Sequence, residues 1–460
     1  MASISRKRFF LALVLSVTAV AAQAKVSEYQ LDNGLKLIVK EDHRAPVVVS
    51  QVWYKVGSSY EHNGTTGISH VLEHMMFKGT NKHPPGEFSR IIAANGGREN
   101  AFTSQDYTAY FQSLEKSRLP VSFELEADRM RNLKLEKSEF AKEVKVVMEE
   151  RRLRTEDNPE SLTYEQFNAV AYTASPYRIP TIGWMNDLQN LRVEDLQHWY
   201  EKWYAPNNAI VVVVGDVKPD EVYALAKKYF GPLKPSQLSP PKPQLEPKQD
   251  GIRTMLVKTP AQLPYLIMGF KVPALKEAKP EWEAYALEVL AGIFDGGDSA
   301  RLTTRLVRQQ GIANSAGAGY DLYDRLSGMF LFEGVPAQGK TVAQLKQALQ
   351  DQIADLQNHP VSTQELERVK AQVVADKVYE RDSVFYQAMQ IGTLEAVGLD
   401  WKTMDEYVPR VQAVTPEQIQ AVAKKYLVSE HQTVAELVPL PMDPNKPQAA
   451  MSYGGRQDVH

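Results

Sequence analysis

Apolar residues recur along this chain in two periods, and the change from one to the other marks out its elements. Residues 31–39 place Asn33-Gly34 between apolar stretches, the pattern of a β-hairpin, and residues 47–54 read as a further strand. Residues 100–104 with 107–111 alternate as a strand open on one edge. Between these, Val71 with Met75 and Leu72 with Met76 repeat at i, i+4, which predicts a helix anchored by one apolar stripe. Residues 138–152 are rich in helix formers. Strands alternating with helices in this way predict α/β or α+β layering.

Residues 233–250 turn to Pro-Lys-Pro text with little to bury, which predicts an extended, semi-rigid linker. Across it the two halves echo each other. Leu191-Arg192-Val193-Glu194-Asp195-Leu196, a helix and the strand 209–214 match Val414-Thr415-Pro416-Glu417-Gln418-Ile419, a helix and the strand 433–438. Both read as loop, N-cap, amphipathic helix and closing strand. A repeat of roughly 220 residues is a domain duplication, too long for a solenoid unit. The expected organisation is a leader over 1–24, a first domain over 25–235, a linker over 236–250, a second domain over 251–445 and a flexible tail over 446–460.

At 460 residues the chain has apolar content for two cores. Its net charge of −3 and lack of a cationic face exclude a nucleic-acid surface and a polybasic membrane anchor. The absence of cysteine excludes thiol catalysis and thiolate ligation. Arg6-Lys7-Arg8, an apolar run over 9–20 and Ala22-Gln23-Ala24 read as a secretory signal, so the mature protein is expected to begin at Lys25. No other segment is long and apolar enough to span a membrane, and the expected product is a soluble periplasmic protein.

The chemistry concentrates in His70-Val71-Leu72-Glu73-His74, an H-x-x-E-H box. Residues four apart share a helix face, so both imidazoles can close on one metal ion while Glu73 projects beside them as a base for an attacking water. The bland alternative is two hydrogen-bonded histidines on an ordinary amphipathic helix. Catalytic zinc sites usually take three protein ligands, and the acidic helix offers Glu143 and Glu150, seven apart on one face, with Glu149 turned about 100° away toward solvent or a basic neighbour. Spacing alone does not choose among them. The equivalent helix of the second half, residues 287–294, carries no histidine and reads as a packing element.

Taken together, the box followed by Gly79-Thr80, then Glu99-Asn100-Ala101-Phe102-Thr103-Ser104, then Val146-Val147-Met148-Glu149-Glu150, resembles the pitrilysin-type inverzincin metallopeptidases. Within them it is most similar to short-chain bacterial relatives of mitochondrial processing peptidase, over essentially the whole mature chain. The resemblance implies an α+β protein of two tandem homologous α/β domains, each a mixed, mainly antiparallel sheet covered by helices. It implies a zinc endopeptidase acting on extended or unfolded peptides, with Glu73 as general base, His70, His74 and Glu150 as ligands of one zinc ion, and Glu143 orienting a ligand histidine from behind. It also implies that the strand at Asn100, Ala101 and Phe102 takes the substrate backbone to backbone. The alternative reading, from the residues alone, makes Asn100 a turn residue after Gly96-Gly97.

One departure stands out. Where the family carries an Arg and a Tyr, seven apart, to hold the oxyanion, this chain has Val307 and Asn314; Arg308, one position off, is the candidate for partial compensation. Losing one preorganised donor costs about 3–4 kcal/mol of transition-state stabilisation. The expectation is a heterodimer with a paralogous chain that lost the zinc box and kept the Arg/Tyr pair, a homodimer being the alternative. Two rival functions are a non-catalytic structural or assembly subunit, which normally has an eroded box, and a periplasmic metal carrier, which normally has His-rich tracts absent here.

Overall fold

The computed structural model describes residues 25–239 and 241–442; the expected signal sequence and flexible tail lie outside the described residues. Two sheets organise the chain. The first holds β1 (Val26–Gln30), β2 (Lys36–Glu41), β3 (Val47–Tyr54), β4 (Arg98–Thr103), β5 (Thr108–Glu115) and β6 (Ala209–Gly215) in the order β1-β2-β6-β3-β5-β4. The second holds β7 (Arg253–Pro260), β8 (Tyr265–Val272), β9 (Ala313–Tyr320), β10 (Gly328–Pro336) and β11 (Gln432–Leu440) in the order β7-β11-β8-β10-β9. Apart from the added β1, the orders are the same: first strand, last, second, fourth, third. Each sheet has one parallel pair, β2 with β6 and β7 with β11, and is otherwise antiparallel. The sheets are therefore duplicates in topology, mixed and mainly antiparallel as the resemblance implies.

The Asn33-Gly34 turn joins β1 to β2, pairing Gln30 with Lys36. Residues 100–111 form two strands instead of one: β4 and β5 pair antiparallel around a turn in which Ser104 N donates to Tyr107 O at 2.8 Å. Asn100 lies within β4 opposite Phe111, so it is a strand residue and not a turn residue. β4 ends its sheet, with one edge unpaired among the described strands.

One face of the first sheet packs Val39, Val52 and Val213 against Val71, Leu72 and Met75 of the helix Ile68–Met75. The corresponding face of the second packs Met268, Phe330 and Phe332 with Leu287, Leu290 and Ile293 of Trp282–Asp295, the element read as packing only. The opposite faces are covered by exchange. Helix Val384–Val397 of the second half lays Ala388, Ile391 and Leu394 on Trp53, Ile210 and Val212 of the first sheet. Helix Pro159–Ala171 of the first half lays Phe167 and Ala171 on Val257, Ile267 and Ala435 of the second. Each fully buried Ile, Leu or Phe here contributes about 1.5–3 kcal/mol, so the exchange ties the halves together strongly.

Both contacts use a glycine as the socket. A Cβ on Gly392 would lie 2.0 Å from Trp53 Cε2, and one on Gly269 would lie 2.5 Å from Phe167 Cζ. The linker adds a polar tie: Glu246 accepts from the backbone N–H of Thr173, Ala174 and Ser175 and from Lys271 of β8.

Candidate metal centre

Helix Ile68–Met75 begins without a Ser, Thr, Asp or Asn cap; Gly67, at φ +84°, occupies that position. The free N–H groups of its first turn are met instead by Glu61, which accepts from Gly67 N at 2.7 Å and from Ser69 N at 2.8 Å. Burial pushes the Glu61 pKa up to about 7 against the pull of these bonds. The loop ahead of the helix is held by Asp187, which accepts from Gly64 N at 3.0 Å and from Thr66 Oγ1 at 2.6 Å.

From this braced helix, His70 and His74 project one turn apart with ring centroids 5.0 Å from each other. Helix Lys137–Arg151 crosses beside it and brings Glu143 and Glu150 to the same place. Glu150 Oε2 lies 3.7 Å from His70 Nε2 and 3.4 Å from His74 Nε2. Ligand atoms on a tetrahedral ion at about 2.0–2.1 Å are about 3.3 Å apart, so this triangle is close to what such an ion requires. The donor atoms of His70, His74 and Glu150 all fall within 4.8 Å of one another, and among the described residues no other cluster of three does so.

Glu143 Oε2 stands 3.3 Å from His74 Nδ1, behind the ring, while its Oε1 pairs with Lys78 at 2.7 Å. Glu149 is turned to solvent and pairs with Arg152. The other oxygen of Glu150 is held by Arg154 at 2.8 Å. Arg151, next in the chain, pins the end of the helix: it is buried, pairs with Glu165 at 2.7 and 2.8 Å, and donates to Gly183 O at 2.8 Å.

The electrostatics suit a cation. Burial pushes the His70 pKa down to about 4, so the ring is neutral as a ligand must be, and its buried Nδ1 has no hydrogen-bond partner. At His74 burial again opposes charge, but hydrogen bonds with Glu150 and Glu143 and the field of Glu73 outweigh it and raise the pKa. Burial works to raise Glu150, but His74, His70 and Arg154 hold it below the usual carboxylate range. Two imidazoles with a carboxylate form a borderline donor set suited to zinc.

Glu73 is buried on the same helix and accepts from Thr103 Oγ1 of β4 at 2.6 Å. Burial raises its pKa, and the Thr103 hydroxyl partly offsets this. Thr103 thus connects the candidate base to the open strand that carries Asn100, Ala101 and Phe102. Those three lie in β4, with Ala101 turned into the core beside the metal helix and Phe102 on the opposite face against Trp53. The sequence patterns assign no role to Thr103 or Glu61. In the second half, Val307 is packed against the core, Asn314 is exposed on β9, and Arg308 is spent on Asp298 at 2.7 Å.

A duplicated α+β scaffold presenting an inverted H-x-x-E-H helix opposite an acidic helix defines the class of inverzincin metallopeptidases. Residues 36–183 match the family description "Insulinase (Peptidase family M16)" and residues 190–373 match "Peptidase M16 inactive domain". The chain is 36% identical over 384 residues to zinc protease PqqE of Helicobacter pylori, covering 81% of this chain and 85% of that protein. It is 25% identical over 406 residues to the uncharacterized zinc protease YmxG of Bacillus subtilis, covering 88% and 97%. The crystal structure of a protease from Helicobacter pylori superposes with a TM-score of 0.86 at 32% identity, over 91% of this chain and all of that one. The periplasmic protease PqqL of Escherichia coli shares the fold, with a TM-score of 0.77 at 20% identity over 94% of this chain and 51% of PqqL. The chain belongs to peptidase family M16.

Proposed function

We propose that the protein is a zinc-dependent metalloendopeptidase acting on extended or unfolded peptides. The observation supporting this best is the convergence of His70 Nε2, His74 Nε2 and Glu150 Oε2 beside the buried carboxylate of Glu73. A bound zinc ion would supply Lewis acidity toward water and the scissile carbonyl. Glu73 takes the proton of the attacking water and returns it to the leaving amine, a role suited to a carboxyl whose pKa burial has raised. Glu143 holds the His74 ring in register through Nδ1.

The substrate adds a strand to the free edge of β4 at Asn100, Ala101 and Phe102. Backbone pairing there selects extended shape over side-chain identity. Thr103, in the same strand, steadies Glu73.

This chain supplies no Arg/Tyr pair at Val307 and Asn314, and Arg308 is engaged with Asp298, so a paralogous partner completes the oxyanion site. We place the enzyme in the periplasm. The leader-like first 24 residues support this, as does the periplasmic description of the fold neighbour PqqL. No helix among the described residues is long and apolar enough to cross a membrane. The missing pair also favours one other reading, an assembly subunit without catalysis.

One assay separates the two. Peptide cleavage is measured with and without chelator, on the chain alone and with a paralogous chain that retains Arg and Tyr. Chelator-sensitive cleavage that rises with the partner supports the proposal; a chain inert under every condition supports the assembly role. Full activity of the chain alone, with no gain from any partner, removes the heterodimer.

A further inference from the structure

A cavity lies behind the loop that leads into the metal helix. It has a volume of about 310 Å³ and is lined by Asn63, Ala169, Arg178, Trp184, Asn186 and Asp187. That volume is at the small end of ligand sites, enough for a molecule of amino-acid or dipeptide size.

Its chemistry is unbalanced in one respect. Arg178 is half-buried, yet among the described residues its guanidinium has no hydrogen bond and no ion pair. Nearly every other arginine that this fold withdraws from solvent is paired, as Arg129 is with Glu126, Arg151 with Glu165, Arg301 with Glu365 and Arg325 with Asp106. Arg178 keeps part of its surface in solvent at the cavity, and its planar fork, unclaimed by an anion of the protein, matches a carboxylate in two-point contact.

The other acid in the cavity does not serve Arg178. Asp187 Oδ2 is taken by Gly64 N, Thr66 N and Thr66 Oγ1, at 3.0, 3.3 and 2.6 Å. Its negative charge nonetheless remains in the cavity wall, which leaves the lining with one positive and one negative group. Such a balance admits a monoanion or a zwitterion and opposes a phosphate dianion. Trp184 supplies an aromatic surface, and the exposed Asn63 and Asn186 supply amides that pair with a peptide group.

We propose that this cavity binds the α-carboxylate end of a short peptide or free amino acid, with the carboxylate on Arg178 and the adjoining peptide group between Asn63, Asn186 and Trp184. The wall is preorganised for it: Trp184 N donates to Thr66 Oγ1 at 3.0 Å, and the Arg151 guanidinium lies 5.9 Å from the Trp184 ring. The site is separate from the candidate metal centre and does not rest on the peptidase reading. It shares with that centre the 64–67 loop and, through Arg151 at Gly183 and Trp184, the end of the helix that carries Glu150, so an occupant would stiffen the entry to the metal helix.

The test is calorimetric titration of the full chain with N-acetyl-alanyl-phenylalanine, with its C-terminal amide, with free phenylalanine and with inorganic phosphate. Saturable binding of the free acid, at least about tenfold tighter than the amide, is expected from a charge-assisted pair. Arg178→Gln should abolish the preference for the acid, and Arg178→Lys should restore part of it. Asn63→Ala, at an exposed position that cannot disturb the core, should weaken the acid severalfold. If phenylalanine binds as well as the acetylated dipeptide, the source is free amino acids; if it binds more weakly, the source is peptide C-termini. The proposal is overturned if no carboxylate saturates up to about 10 mM, if acid and amide bind alike, if phosphate binds more tightly than either, or if Arg178→Gln binds as wild type does.

Discussion

Glu143→Gln isolates the role of the carboxylate behind His74. The substitution keeps the shape of a side chain that is only 11% exposed and removes its charge. Two effects then act in the same direction. The Nδ1 contact to His74, at 3.3 Å already long, becomes a neutral hydrogen bond, so the ring is held less firmly and is a poorer donor. Lys78, which pairs with the other oxygen at 2.7 Å, keeps its charge close to a site meant for a dication. Loss of such an outer partner costs 10–100-fold in metal affinity, about 1.4–2.7 kcal/mol, and the length of the contact puts the expectation in the lower half of that range. The assay is zinc competition against a chromogenic chelator. Glu149→Gln is the control, because Glu149 neighbours Glu150 in sequence but pairs with Arg152 in solvent; its zinc affinity should stay within about twofold of wild type. The reasoning is refuted if Glu143→Gln binds zinc as wild type does, or if the control falls equally.

Three further outcomes are expected. Thr103→Val should lower kcat with little change in KM or zinc content, by about 10-fold for one lost hydrogen bond to a charged group, and Thr103→Ser should recover most of it; a Val variant at full kcat would show that the hydroxyl is idle. Arg151→Met should destabilise the fold by about 3–5 kcal/mol in urea unfolding because it leaves Glu165 buried and unpaired, while the Arg151→Met, Glu165→Leu double variant should recover much of that; additive losses would deny the coupling. Glu246, held at a pKa of about 2 because Lys271 and three backbone N–H groups outweigh its burial, gives stability that is complete above its unfolded value near 4.5 and is lost as pH falls from there toward 2. After allowance for screening this amounts to about 1–2 kcal/mol, and a Glu246→Gln variant with an unchanged acid unfolding profile would contradict it.

What the sequence discloses follows from the range of the interactions involved. The Asn33-Gly34 hairpin, β3 and the stripe of Val71, Leu72, Met75 and Met76 are local patterns, and they read directly. The turn between β4 and β5 does not, because the polar run Thr103-Ser104-Gln105-Asp106 contains neither Gly nor Pro to punctuate it. The exchange of helices between halves was hidden for a different reason: the apolar residues of Val384–Val397 announce burial but not which sheet receives them. At the site, the i, i+4 histidines identify themselves by spacing and Glu149 is set apart by its helical angle, whereas Glu143 and Glu150 are distinguished only by resemblance and then by geometry. Thr103 and Glu61 have no local signature at all. A strand hydroxyl follows no motif, and a helix start capped by a glutamate from outside the helix breaks the usual rule of a short polar residue at the cap.

The most direct measurement is the metal content of the purified full chain by elemental analysis, taken together with chelator-sensitive peptide cleavage in the presence of the partner. The account predicts one zinc ion per chain, retained with most activity lost in Glu73→Gln, and absent in His74→Ala and Glu150→Ala. Zinc unchanged in His74→Ala, or cleavage by a chain that holds no transition metal, would contradict it.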